Sequence, residues 1–168
     1  WGEAFIRPGP QLKNQWAYGD NYQAWGMIET RSDLDGAPPE LSFFAREGIW
    51  RGEGMSLRRY SLRKDGFVSV SAPLSGGEFV TKPLTFKGSS LQINFSTSAA
   101  GSLRVEIQIP DGTPLPGFAL ENCRDQIGDE LDRKVTWAGS SDLSAFAGSP
   151  VRLRFYLKDA DIFSLQFK

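Results

Sequence analysis

The densest chemistry in this sequence lies in one short run, Trp16-Ala17-Tyr18-Gly19-Asp20-Asn21-Tyr22-Gln23-Ala24-Trp25. Aromatic faces stack on the apolar C–H faces of sugar rings, and Asp, Asn and Gln hydrogen-bond hydroxyl groups in fixed directions. A carbohydrate site needs that mixture. The candidate contacts are Trp16, Tyr18, Asp20, Asn21, Tyr22 and Trp25, with Gly19 letting the backbone turn. A blander reading competes: aromatic residues favour strands, and these can simply pack on a neighbouring strand. Trp137 closes an alternating segment. It reads as half-buried, or else as a further stacking platform.

Other constellations carry less. Glu121 to Asp132 is acidic and rich in oxygen ligands, so Asp125, Asp129 and Asp132 are calcium candidates, although their spacing fits no EF-hand loop. The alternative is a solvated loop in which Asp129 braces the backbone. Asp159 with Asp161, and Asp129 with Asp132, are paired carboxylates, the groups a glycosidase sets across its cleft. Both pairs are expected near strand ends, where turns attract Asp anyway. Cys123 is the single cysteine, which rules out an internal disulfide; a small buried role is the default for such a thiol. Arg58, Arg59, Arg63 and Lys64, with Arg51 close by, either clamp an acidic sugar or form a solvated strand face paired with carboxylates. The chain has no histidine, which removes the commonest general base and every Ser-His or Cys-His arrangement.

The elements that must position these residues are strands. From Phe67 onward, Leu91 to Phe95, Leu103 to Ile109 and Val151 to Phe155 alternate apolar and polar residues, the period of a half-buried strand. Gly76-Gly77, Gly88 to Ser90, Gly101-Ser102 and Asp111-Gly112 read as turns between them. Ser141 to Gly148 is the one helical turn expected there, linking two strands. Upstream, Ala4 to Arg7, Trp16 to Tyr18, Ala24 to Glu29, Leu41 to Ala45 and Leu57 to Leu62 read as strands, and Asp33 to Pro39 as a loop. The expectation is an all-β chain: a short β-rich appendage over residues 1–56, then an antiparallel β-sandwich of jelly-roll type over 57–168. At 40% hydrophobic and 23% charged residues, 168 residues suffice for a core. A net charge of −1 points to neither nucleic acid nor an anionic membrane as partner. No apolar run approaches the roughly 20 residues of a membrane helix. Opening at Trp1, straight into strand-like sequence, the chain reads as a fragment or processed product.

A series of small motifs in fixed order then carries a resemblance. They include Arg58 to Val70, Thr81 to Phe86, Leu91 to Phe95, Gly101 to Ile107 and Pro116-Gly117-Phe118. Cys123, Ile127-Gly128-Asp129 and Val135-Thr136-Trp137 follow, then Ser141 to Ser144, Gly148, Val151 to Phe155 and Asp159-Ala160-Asp161. Together, residues 57–168 resemble the C-terminal region of bacterial propeller proteins similar to glycoside hydrolase family 32, the invertase and levanase type. Residues 1–56 look similar to the last propeller blade of such proteins. In that family the catalytic carboxylates lie on earlier blades, so the resemblance carries no catalytic residue onto this chain. It implies a bacterial extracellular or periplasmic accessory domain, non-catalytic, partnered by carbohydrate and by a catalytic propeller domain or second chain. Alternatives are one chain of a split or processed glycoside hydrolase that lines the pocket, and a purely structural or oligomerisation domain.

Overall fold

The computed structural model describes residues 4–6, 20–49 and 55–168. Its chain divides into two compact units, Trp1–Lys64 and Asp65–Lys168. Both are β, and both sheets are antiparallel.

In the first unit, β1 (Ile28–Thr30), β2 (Glu40–Glu47) and β3 (Ser56–Arg63) form a three-stranded sheet in that order. β2 pairs with β3 along its whole length, from Glu40 opposite Arg63 to Glu47 opposite Ser56. The strand at 57–62 therefore belongs to the first sheet, and the second unit starts at Asp65. Side chains alternate across the sheet. One face carries Phe43, stacked between Phe5 at 5.3 Å and Tyr60 at 5.5 Å. The other carries a polar network centred on Arg59, which donates to Ser42 Oγ at 2.9 Å and Glu40 Oε1 at 2.8 Å. The basic cluster is therefore split by the pleat. Arg58 pairs with Glu47 on the Phe43 face, while Arg59 pairs with Glu40 on the opposite one. Lys64 reaches Glu29. Carboxylates meet these cations, as the plainer of the two sequence readings expects, but they form no single basic face.

The second unit contains β4 (Val70–Ala72), β5 (Gly77–Val80), β6 (Leu91–Gln108), β7 (Asp129–Lys134) and β8 (Arg152–Phe167). The strand order is β4-β8-β6-β7, with β5 pairing another stretch of β8. Two long strands dominate it, β6 of 18 residues and β8 of 16. Each was expected to be shorter, with Gly101-Ser102 as a turn. Instead Gly101 lies inside β6, at a register shift between Thr97 and Ser102 where the paired strands bend. A Cβ on Gly101 would sit 2.3 Å from the Asp159 carbonyl oxygen, so only glycine lets the two backbones come this close. Asp159 itself has φ 43°, and its N–H donates to Pro73 O.

Folded at this bend, the sheet encloses one core. Leu91, Ile93 and Phe95 from one half of β6 join Leu103, Val105 and Ile107 from the other, with Leu153, Phe155 and Ile162 of β8. The result is an antiparallel β-sandwich made by a single sheet curling over. A 3-10 turn at Ser144–Phe146 sits within the expected Ser141 to Gly148 stretch, started by Asp142 Oδ1 accepting the Ser144 N–H.

Candidate functional site

Of the aromatic run, Asp20 to Trp25 lies in the described part of the first unit; Trp16 and Tyr18 lie outside the described residues. Asn21 to Ala24 runs along the edge of β2. Asn21 N–H donates to Arg46 O, Arg46 N–H to Tyr22 O and Ala24 N–H to Phe44 O. Gln23 pairs opposite Ala45, and further along Ile28 pairs opposite Ser42. Between those two pairs the edge segment holds two more residues than β2 needs. The excess is taken up at Trp25-Gly26, where Gly26 adopts φ 86°. The bulge swings Trp25 out of the pleat, and its side chain is fully exposed, at 103% relative accessibility.

Tyr22 lies on the Arg59 face of the sheet and is half exposed, with the Arg46 guanidinium 4.7 Å from its ring centroid. That cation–π contact fixes one side of the ring. Asn21 enters the segment at φ 64°, a left-handed conformation its short amide side chain tolerates. Asp20 departs from the expected ligand role. It is buried, and its Oδ1 accepts the Ile49 N–H at 2.9 Å, bracing the turn from beneath. Tyr22 and Trp25 are thus exposed aromatic residues on an edge held by β2, while Gln23, paired opposite Ala45, lies on the Phe43 side of that edge. Such an edge can stack on sugar rings and bond their hydroxyls.

Trp137 is corrected as a platform. It is 1% exposed, its indole N–H donates to Val105 O at 2.7 Å, and Phe118 tilts against it at 5.4 Å. A buried indole needs a partner for its N–H, and β6 supplies one.

The calcium candidates do not converge. Asp125 uses both carboxylate oxygens on Arg104, at 2.5 and 3.0 Å, and that guanidinium holds its pKa below the usual carboxylate range. Asp129 opens β7 opposite Ser96, and Asp132 lies on its outer side near Asp65. Among the described residues no group of three or more His, Cys, Asp or Glu comes together to hold a metal ion. The paired carboxylates are also dispersed: Asp161 accepts a bond from Ser69 Oγ, and Asp159 lies at the bend inside β8 rather than at a strand end. Cys123 is buried as expected, and burial pushes its thiol up to about 11.

Sequence reasoning missed a polar cluster. Glu106, 3% exposed, accepts from Gln108 Nε2 at 2.7 Å and from the Leu120 N–H at 3.1 Å, with Arg154 at 3.5 Å. Alternation alone assigns Glu106 and Gln108 to the wet face. The loop that bonds back onto β6 at Leu115 and Phe118 accompanies their burial.

The chain matches no protein-family model, no curated protein and no solved structure. No helix among the described residues is long and apolar enough to cross a membrane.

Proposed function

We propose that this chain is a non-catalytic, carbohydrate-binding accessory module of a larger carbohydrate-active enzyme, working outside the bacterial cytoplasm. One observation carries the reading: a backbone bulge, held in place by β2, presents Trp25 fully to solvent on the same edge segment as the half-exposed Tyr22. Leaving an indole in water forgoes the burial that a Trp side chain ordinarily contributes. A ring of the ligand recovers that burial. The motif order over residues 57–168, which resembles the accessory region of family 32-like proteins, supports the same class of parent enzyme. Catalysis in this reading comes from another domain or chain, while Trp25 keeps the polymer close to it.

Affinity electrophoresis of the chain against fructans, plant cell-wall polysaccharides and acidic algal polysaccharides tests the proposal. Retardation by one of these, lost in Trp25→Ala, is the expected result. Retardation of neither protein in any gel sinks it and leaves a structural role, and equal retardation of both removes Trp25 from the site.

A further inference from the structure

The second unit has a cleft of its own, about 350 Å³, on the face of the sheet turned away from the core. Its floor is made by alternate residues of β6 and β8. Gln92 lies opposite Gln166 and Asn94 opposite Ser164, while their neighbours Leu91 and Ile93 point into the core. The cleft exists because both strands flanking β6 change register at the same level. β7 places Leu131 and Asp132 opposite Asn94 alone, between the Ile93–Arg133 and Phe95–Glu130 pairs. β8 inserts Phe163 between the partners of Asn94 and Phe95. Bulges re-aim side chains and are common next to binding sites; here two of them flank one asparagine. Asn94 is only 2% exposed although it lies on the outer face. Asp65 and Asp132 stand at the rim, and Ser164 Oγ donates to Asp65 Oδ2 at 2.8 Å.

A second observation concerns Gln92. Its Oε1 is buried with no hydrogen-bond partner. A buried acceptor without a donor is costly, so a donor brought to it is rewarded. Gln92 lines the cleft, and the soft terminal torsion of glutamine lets its amide reorient there.

The groups here set the ligand chemistry. Amide oxygens and carboxylates call for donors, while amide N–H groups and the Lys168 ammonium call for acceptors. Hydroxyl groups are both. Vicinal hydroxyls on a ring satisfy such a floor, and the half-exposed Leu165 beside it offers contact to C–H groups. With two carboxylates against one ammonium, the lining offers no excess of positive charge to hold an anion.

We propose that this cleft is a second carbohydrate site, one that holds a single neutral sugar unit by hydrogen bonds rather than by stacking. It shares its ligand class with the proposed function but stands on different residues, so either can fail alone.

The test is a titration of the ¹⁵N-labelled full chain with methyl β-glucopyranoside, methyl β-galactopyranoside and sucrose, with glycerol as control, following the side-chain amide signals. Saturable shifts of the Gln92 and Gln166 amides are expected with at least one sugar and not with glycerol. They persist in Trp25→Ala, and the amide that remains reports binding about tenfold or more weaker in Gln166→Ala and in Gln92→Leu. Gln92→Leu keeps or raises the melting temperature, because it deletes an unpaired acceptor. Gln166 is exposed, so its truncation leaves the fold intact. No saturable shift with any of the sugars overturns the proposal. So do shifts that glycerol reproduces, that vanish in Trp25→Ala, or that survive unchanged in both cleft variants.

Discussion

The two sheets of this chain deal with apolar surface in opposite ways. In the first unit the buried apolar side chains among the described residues are Phe43 and Ala45, while Tyr22, Trp25, Ile28, Leu34 and Leu57 stand exposed. The second unit closes on itself, and a continuous cluster from Ala72 to Ile162 fills it, with Trp137 at its interior. Strand length makes the difference. β2 has 8 residues, whereas β6 and β8, at 18 and 16, are long enough to bend and face themselves. The three-stranded sheet leaves these aromatic residues exposed; the curled sheet buries its own in the core. The lesson is that exposure of a tryptophan here follows from sheet length and edge position, not from local composition. Trp25 and Trp137 each sit among strand-forming neighbours, and one is in water while the other is not.

The largest expected effect tests where the stability resides. Phe155 is fully buried and stacks on Phe79 at 4.7 Å. Phe155→Ala should cost about 3–5 kcal/mol, as large-to-small changes in closed cores do. Phe43 is buried too, stacked between Phe5 and Tyr60, but belongs to a smaller set of buried apolar side chains among the described residues, so Phe43→Ala should cost about 2 kcal/mol. Urea unfolding followed by circular dichroism checks both; equal losses would break the contrast between the units.

The bend itself comes next. Gly101→Ala places a methyl group 2.3 Å from Asp159 O and 2.7 Å from Lys158 O, both backbone atoms. Neither can move without opening the β6–β8 pairing, so a loss of about 2–4 kcal/mol is expected. Gly112→Ala is the control in empty space, although its φ of 97° adds some strain of its own. A Gly101→Ala protein that melts with the parent would mean that the sheet curls elsewhere.

Much of this fold was legible in the sequence. The alternation in Leu91 to Phe95, Leu103 to Ile109 and Val151 to Phe155 identified strands that are present, because period two survives any topology. What alternation cannot tell is whether a run continues. Gly101-Ser102 looks like a turn locally and is a bulge within β6, since the signal for a close backbone approach is the same glycine. Nor can it tell what covers the polar side, so Glu106 and Gln108 looked wet and are buried. At the candidate site, Tyr22 and Trp25 were singled out by residue type, and the structure leaves both exposed. Asp20 was misplaced because a carboxylate that braces a turn and one that grips a sugar have the same neighbours in sequence. The cleft over Asn94 left no local signal, for it arises from bulges on β7 and β8, strands 35 or more residues away along the chain from Asn94.

Cys123 sharpens the picture of a closed second unit. Burial raises its thiol from 9.0 to about 11. A neutral form favoured by folding adds stability that is fully present below pH 9.0 and is lost as pH rises through about 11. The amount is on the order of 2–3 kcal/mol. Melting temperatures between those two pH values should fall more in the parent than in Cys123→Ala. A thiol alkylated at pH 8 as fast as free cysteine would show that the core is open.

A smaller effect lies at the surface of the same unit. Asp125 is held below its ordinary pKa by Arg104, so the pair adds stability above the usual carboxylate range and loses it as pH falls through the lower folded value. Both side chains are more than a third exposed, at 41% and 38%, so solvent screening leaves about 0.5 kcal/mol. Arg104→Gln should therefore cost about 0.5 kcal/mol at neutral pH and almost nothing once Asp125 is protonated, which flattens the acid limb of the stability curve; a loss of several kcal/mol at pH 7 would mark the pair as part of the core instead.

The smallest effect on stability is expected where the largest effect on binding lies. Trp25 buries almost nothing and sits on a bulge whose geometry Gly26 and the Tyr22–Arg46 and Ala24–Phe44 bonds maintain without it. Trp25→Ala should therefore change the unfolding free energy by no more than about 0.5 kcal/mol. Trp25→Phe should do the same while keeping part of any retention by polysaccharide, because a smaller ring still stacks. A tryptophan that mattered to folding would behave in the reverse way, with a depressed melting temperature in both variants. The pair of measurements thus separates a side chain placed for a ligand from one placed for the sheet beneath it.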